Sequence, residues 1–355
     1  MRIITIIGAR PQIIKAAAIS RCIQETSNIE EIIVHTGQHY DNNMSSVFFS
    51  ELGIPTPKYN LGLGALSHGA MTGRMMEGIE NIVKIENPDY VLVYGDTNST
   101  LAGALVAAKC HIKLAHIEAG LRSGNNLMPE EINRIVTDRL SNLLFCPTDV
   151  AVENLNQEGF SQFMEKKYLK VGDVMLDNAL YYSNKSYKPQ SFSETIFEDY
   201  ILATIHRAET TDNSERLIKV VEALNEINKD IDVVMPIHPR TRIKISELDL
   251  KVNFSLIEPV GYLEMVWLLQ NCKKVISDSG GVQKESYFFN KQCIIIREDT
   301  EWTELLENGW NVLVGYDKSK ILREAFKNEK NLISAGLYGN GETAKKIINE
   351  MLAYI

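Results

Sequence analysis

Short runs of consecutive apolar residues alternate with longer stretches of helical periodicity along almost the whole chain. The runs Ile3–Ile7, Glu31–His35, Tyr90–Tyr94, Lys113–Ile117, Leu143–Cys146 and Tyr168–Val171 are rich in Ile, Val, Leu and Tyr. Runs that are apolar at successive positions, rather than at alternate ones, suit strands buried on both faces of a parallel sheet. Between them, apolar positions recur at helical spacing over Pro11–Thr26, Asn43–Leu52, Ser67–Glu86, Ser99–Lys109, Pro129–Ser141 and Val150–Gly159. Residues 173–199, rich in Asn, Ser, Tyr and Lys, read as a helix followed by a linker. The pattern then restarts, with strands expected at Tyr200–Thr204, Asp232–Pro236, Phe254–Ile257, Lys274–Ser277, Gln292–Ile296 and Asn311–Val314.

Strands alternating with crossover helices predict an α/β chain. Two rounds of the pattern predict two doubly wound, Rossmann-like domains facing across a cleft, residues 1–172 and 173–340. A last helix near Thr343–Ala353, within 341–355, is able to close either domain; packing back on the first is the expectation adopted. The length agrees, because 355 residues exceed what one hydrophobic core usually holds. No internal repeat or low-complexity tract is evident.

Composition narrows the class of function. A net charge of −9 argues against a general nucleic-acid or anionic-membrane binder. No apolar run approaches the ~20 residues that span a bilayer, and no signal peptide precedes the first strand. The five cysteines form no Cys-x-x-Cys pair and lie mostly in apolar runs, as reduced core residues do. A soluble cytoplasmic protein is expected.

Candidate chemistry gathers where the predicted strands end, which is where open α/β sheets bind ligands. After the first strand, Gly8-Ala9-Arg10-Pro11 opens a helix whose N-terminus favours an anion, with Arg10 and Lys15 on one face. Asp96 follows the Tyr90–Tyr94 strand within Gly95-Asp96-Thr97, and Glu118 follows the next strand. Pro129 then begins a helix with Glu130 and Glu131 in its first turn, where acids suit the dipole. Carboxylates beside Arg122 and Arg134 can move protons next to an anionic substrate. In the second half, His206-Arg207 and His238 leave strand ends, and so does the segment from Arg297 to Glu301. The run Ser279-Gly280-Gly281 turns a strand into a helix, so its amides and hydroxyl can cradle a pyrophosphate, with Glu285 in reach of a ribose. No Gly-x-Gly-x-x-Gly or Walker loop occurs, which lowers NAD enzymes and ATP motors. No His, Cys, Asp and Glu set has metal-ligand spacing, since His35, Gln38 and His39 lack a fourth partner.

Taken together, these motifs resemble the non-hydrolysing UDP-N-acetylglucosamine 2-epimerase family over essentially the whole chain. The matching pieces run from Gly8-Ala9-Arg10-Pro11 and Lys15 through Gln38-His39, Gly95-Asp96-Thr97 and Glu118-Ala119-Gly120-Leu121-Arg122. Pro129-Glu130-Glu131-x-Asn133-Arg134, His206-Arg207, Asp278-Ser279-Gly280-Gly281-x-Gln283-x-Glu285 and Thr300-Glu301 continue them. The resemblance implies the GT-B architecture, usually as a homodimer, with a UDP-sugar in the interdomain cleft and no cofactor or metal. It implies loss of UDP from C1 as the C2 proton leaves, through 2-acetamidoglucal, and re-addition to the opposite configuration. By position, Asp96, Glu118, Glu130 and His206 match the family's catalytic groups. Arg10, Lys15, Arg122, Arg134, Arg207, His238, Ser279, Gly280, Gly281, Glu285, Arg297 and Glu301 are the expected substrate contacts, and Gln38 and His39 a regulatory segment.

Some positions depart from the commonest pattern. Thr300-Glu301-Trp302-Thr303-Glu304 replaces Thr-Glu-Arg-Pro-Glu, and Ala208 stands where a second arginine often follows the histidine. Together with Gly8-Ala9-Arg10-Pro11-Gln12 and Gly309-Trp310-Asn311, these resemble a branch containing epimerases of UDP-2,3-diacetamido-2,3-dideoxyglucuronate, which serve surface polysaccharide synthesis. UDP-N-acetylglucosamine stays narrowly ahead as the expected substrate. A GT-B glycosyltransferase, a catalytically silent UDP-sugar sensor and a hydrolysing relative are the alternatives.

Overall fold

The computed structural model describes residues 1–38, 49–64, 66–192, 199–328 and 336–354, so the expected contribution of His39 and most of the expected Asn43–Leu52 helix lie outside the described residues. The chain divides into two compact units, Met1–Leu180 with Gly336–Ile355, and Tyr181–Ala335. Each is built on one parallel sheet.

The first sheet comprises β1 (Arg2–Ile7), β2 (Glu30–His35), β3 (Tyr59–Asn60), β4 (Tyr90–Tyr94), β5 (Lys113–Ile117), β6 (Leu143–Cys146) and β7 (Lys167–Lys170), in the order β3-β2-β1-β4-β5-β6-β7. Its helices are α1 (Arg10–Gln24), α2 (His68–Glu86), α3 (Asn98–Lys109), α4 (Pro129–Leu140), α5 (Asp149–Gln157) and α6 (Val174–Ser183). The central strands are buried on both faces, as their unbroken apolar runs require. On one face Ile4, Ile6, Val34, Val91 and Val93 meet Met71, Met75, Ile79 and Ile82 of α2. Helix α3 lies close over the sheet because Gly103 leaves room: a Cβ there would sit 3.0 Å from Val93 and 3.2 Å from Ile6.

The second unit begins with a helical turn and then α7 (Ala208–Thr211), α8 (Ser214–Ile227), α9 (Pro239–Glu247), α10 (Tyr262–Asn271), α11 (Gly280–Phe288), α12 (Thr303–Glu307) and α13 (Lys318–Phe326). They alternate with β8 (Tyr200–Thr204), β9 (Asp232–Pro236), β10 (Ser255–Ile257), β11 (Lys274–Ser277), β12 (Gln292–Ile295) and β13 (Asn311–Leu313), ordered β10-β9-β8-β11-β12-β13. Ile201 and Ala203 face Leu217, Val220 and Leu224 of α8, whereas Tyr200 and Leu202 face the opposite cluster with Leu268 and Val275. That alternation is the period-two pleat of a strand with no wet face.

The last helix, α14 (Thr343–Ala353), belongs to the first unit. It buries Ile347, Ile348 and Met351, and its Ala344 amide donates to Asp177 at 2.8 Å. Tyr90 Oη donates to the Met351 carbonyl at 3.2 Å, and Lys113 Nζ to that of Tyr354 at 2.8 Å. No helix among the described residues is long and apolar enough to cross a membrane.

In both sheets the direction of winding reverses beside the first strand, between β1 and β4 and between β8 and β11. Such switch points leave a crevice at the carboxyl ends of the strands, where the connections depart in opposite directions.

Candidate active site

At the switch point of the first unit, β1 ends in Gly8. A side chain there would run into the hydroxyls of Thr36 and Ser99, so the tight passage requires glycine. Gln12, buried in the first turn of α1, accepts from the Gly8 and Ala9 amides at 2.8 and 3.2 Å and donates to the Tyr94 carbonyl at 2.9 Å. It thereby ties the end of β1 to the end of β4. Gln38 Oε1 accepts from the Ser99 hydroxyl at 2.8 Å and its amide at 3.0 Å, at the start of α3. Arg10 stands half-buried at the first position of α1.

Two carboxylates leave adjacent strands here, each with a cation. Glu118, just past β5, is buried and ion-paired with Lys15 from α1. Its backbone adopts φ of +71°, a left-handed conformation that costs a side-chain-bearing residue about 1–2 kcal/mol. The Glu118 and Ala119 amides both donate to the Phe145 carbonyl at 3.1 Å, which holds that turn. Asp96, past β4, accepts from Arg134 Nη2 at 2.6 Å and Nε at 3.0 Å. The intervening Gly95 keeps the groups close: a Cβ there would lie 3.1 Å from the Glu118 carboxylate and 3.2 Å from Lys15 Nζ.

The two glutamates of the Pro129 turn have different surroundings. Glu130 is exposed. Glu131 is buried and accepts the Ser123 and Gly124 amides at 3.0 Å and Arg134 Nη1 at 2.7 Å. Burial alone would raise its carboxyl, but these donors outweigh that and hold it below the usual range. Arg134 thus bridges Glu131 and Asp96, while Asn133 donates to the Asp96 carbonyl at 2.8 Å. Arg122 pairs with Asp138 at 2.8 Å and with Glu158 at 2.6 Å. Gln12, Glu131 and Asn133 stood in quoted motifs without an assigned role, and His116 and Asp138 were not selected from the sequence, where a buried polar residue within an apolar or helical run carries no local mark.

In the second unit, Asp278 is fully buried past β11 and organises the end of β8. Its carboxylate accepts the His206 amide at 3.1 Å and the Arg207 amide at 3.0 Å, and lies 3.4 Å from His206 Nδ1. The His206 ring remains partly exposed, with the His238 ring centroid 5.8 Å away. Ser279 caps α11, its hydroxyl accepting the Val282 amide at 3.5 Å, and Ser277 Oγ accepts the Ser279 amide at 2.9 Å. Gly280 lies directly beneath the Glu301 carboxylate, where a side chain would collide, with Arg207 Nη2 3.7 Å from that point. Glu301 is in turn paired with buried Arg297 at 3.0 Å, and Arg297 with Asp299 at 3.0 Å. Glu285 is buried in the second turn of α11. Residues that leave β8, β11 and β12 therefore meet around one helix N-terminus, a geometry suited to an anion.

The UDP-N-acetylglucosamine 2-epimerase family model matches residues 21–352. The chain belongs to that family. A UDP-2,3-diacetamido-2,3-dideoxy-D-glucuronate 2-epimerase of Pseudomonas aeruginosa is 53% identical over 350 residues, covering 98% of each chain. A UDP-N-acetylglucosamine 2-epimerase of Methanocaldococcus jannaschii is 44% identical over 363 residues, again 98% of each. The crystal structure of the M. jannaschii UDP-GlcNAc 2-epimerase in complex with UDP-GlcNAc and UDP superposes with a TM-score of 0.90 over 99% of this chain and 100% of the other. As a UDP-sugar 2-epimerase this family member is an isomerase, and the GT-B type of its structural relatives accounts for its two parallel-sheet units.

Proposed function

We propose that the chain interconverts UDP-2,3-diacetamido-2,3-dideoxyglucuronate and its mannuronate epimer by elimination and re-addition of UDP. The acid–base part of this reading is carried by one observation, the pairing of Asp96 with Arg134 and of Glu118 with Lys15 at adjacent strand exits. An anion cradle alone would suit a glycosyltransferase equally; two carboxylates at adjacent strand exits are what favours proton transfer at the sugar. The C2 proton of such a sugar is too weakly acidic to be removed and returned alone. Its departure to a carboxylate is coupled to cleavage of the C1–O bond, whose electrons leave with UDP as the C1–C2 double bond forms. Return of a proton to the opposite face of C2, with UDP adding back at C1, gives the epimer.

In this reading Asp96, Glu118, Glu130 and His206 divide the proton transfers among them. Arg10, Ser279, Gly280 and Gly281 offset the charge of the departing diphosphate, and Glu285 holds the ribose. Lys15, Arg122, Arg134, Arg207, His238, Arg297 and Glu301 orient the sugar nucleotide directly or through these partners. The choice of sugar rests on the 53% identity to the Pseudomonas protein. UDP-N-acetylglucosamine is the second reading, favoured by the Methanocaldococcus relative. We further propose a homodimer, which sedimentation velocity tests, and a regulatory role for the segment at Gln38 and His39.

Proton NMR in heavy water with each nucleotide sugar decides between the readings. Deuterium at C2 with the manno epimer appearing from the diacetamido-glucuronate supports the proposal. Faster exchange with UDP-N-acetylglucosamine transfers the assignment to that substrate. Exchange with neither leaves the transferase and sensor readings in front.

A further inference from the structure

Beneath the carboxylates lies a fully buried polar pair for which a UDP-sugar 2-epimerase has no evident direct use. His116, on β5, and Asp138, on α4, are both completely inaccessible, and His116 Nδ1 meets Asp138 Oδ1 at 2.7 Å. The other ring nitrogen, Nε2, meets the Gly95 carbonyl at 2.8 Å. A carbonyl only accepts, so Nε2 carries a hydrogen to it. The second oxygen of Asp138 accepts the Gly120 amide at 3.1 Å and Arg122 Nη1 at 2.8 Å. Burial alone would raise the Asp138 carboxyl, but His116 and Arg122 outweigh that and keep it low.

The two ends of this chain of bonds touch particular places. Gly95 precedes Asp96, and Gly120 lies two residues beyond Glu118. Gly95, Glu118 and Gly120 all have left-handed backbone, with φ of 61°, 71° and 80°. The Gly95 amide donates to the Ile117 carbonyl at 3.0 Å, so the two turns are also joined directly. Left-handed turns of this kind persist only when their surroundings over-determine them. An apolar residue at 116 would fill the core but would leave the Gly95 carbonyl without its donor.

We infer that His116 and Asp138 are positioning residues, a buried brace from the Gly95 carbonyl to the Gly120 amide that holds the Asp96 and Glu118 carboxylates in mutual register. The inference rests on the proposed roles of those carboxylates. A displacement of about 1 Å at reacting groups can cost ~10²-fold in rate.

Three proteins test it: wild type, His116→Asn, which can still reach Asp138 but not Gly95, and Asp138→Asn, which keeps the shape of the side chain. Turnover by C2 exchange is divided by the fraction of protein whose first unit is folded, measured as protection of the β1–β7 sheet amides, so unfolded protein is excluded. The expected result is a loss of ~10²-fold in kcat per folded first unit in both variants, with KM within about threefold. A purely structural role would lower the folded fraction and leave kcat per folded unit unchanged, and that result overturns the inference. Amide hydrogen exchange gives a readout without turnover: the Gly95 and Gly120 amides should exchange faster in His116→Asn while the β8–β13 sheet stays protected. Unchanged local exchange also overturns the brace. A wild type inert in C2 exchange, with faster local exchange in the variant, would instead defeat the proposed reaction and with it the catalytic meaning of the brace.

Discussion

Replacing Asp278 by Asn tests how the His206 loop is held. The native carboxylate uses both oxygens, accepting two amides at 3.0–3.1 Å with the His206 ring nitrogen at 3.4 Å, and no water reaches the group because it is fully buried. Asparagine has the same outline but one acceptor. Turned with its oxygen at the Oδ2 position it still accepts both amides, but its NH2 then stands 3.1 Å from the His206 N–H, donor facing donor in a fully buried site. An unsatisfied buried donor costs about 1–3 kcal/mol. At about 2 kcal/mol, the thermal transition of a unit this size should fall by ~4–8 °C. The loop carries His206 and Arg207, so turnover should fall as well, whereas binding of free UMP at the α11 end should change less. Differential scanning calorimetry with C2-exchange kinetics measures both. A transition within about 1 °C of wild type, together with unaltered turnover, would refute the view that Asp278 organises this loop.

Other substitutions probe different links. Glu118→Gln should abolish C2 exchange while calorimetric UDP binding survives; retained turnover would remove Glu118 from the proton transfers. Gly120→Ala places a methyl against the Ala151 carbonyl in a left-handed backbone. The strain and overpacking together should cost ~3 kcal/mol and lower the first unit's transition by about 6–12 °C, and an unchanged melt would show that the turn can relax. Glu131 has a folded pKa below its unfolded value of about 4.3. Its contribution to stability is therefore complete above the unfolded value and drains away as pH falls through the folded one. Denaturant unfolding between pH 6 and 3 should show a shallower acid limb in Glu131→Gln, and superimposable limbs for the two proteins would contradict the assignment.

Most of the fold was legible because its strands are buried on both faces and therefore announce themselves as unbroken apolar runs. All twelve expected strands correspond to observed ones within a residue or two at each end. Among the described residues the strand that escaped is β3, which has only Tyr59 and Asn60 and is held by its pairing with Val34 and His35, so no local pattern exists to detect. The strand-exit rule likewise picked out Asp96, Glu118, His206 and Ser279 as candidates, and each does follow a strand end, since a polar residue directly after an apolar run is visible in one dimension. What supports them was not visible. His116 reads as one polar residue in a strand, Asp138 as one of several charges on a helix, and Asp278 as a turn residue. Their partners lie 22, 18 and 72 residues away in sequence, and only the tertiary structure brings those atoms together.

The route of the chain through α14 has a consequence for synthesis. The β-strands of the first unit are all encoded before residue 180, yet the helix that covers Tyr90, Lys113 and Asp177 arrives after the second unit has been made. At ~5–20 residues per second, roughly ten to thirty seconds separate the two events on a ribosome. During that interval the apolar seat of Ile347, Ile348 and Met351 stands open, and the second unit must fold beside an unfinished neighbour. A nascent first unit should therefore remain protease-sensitive until the last turns of the chain are released.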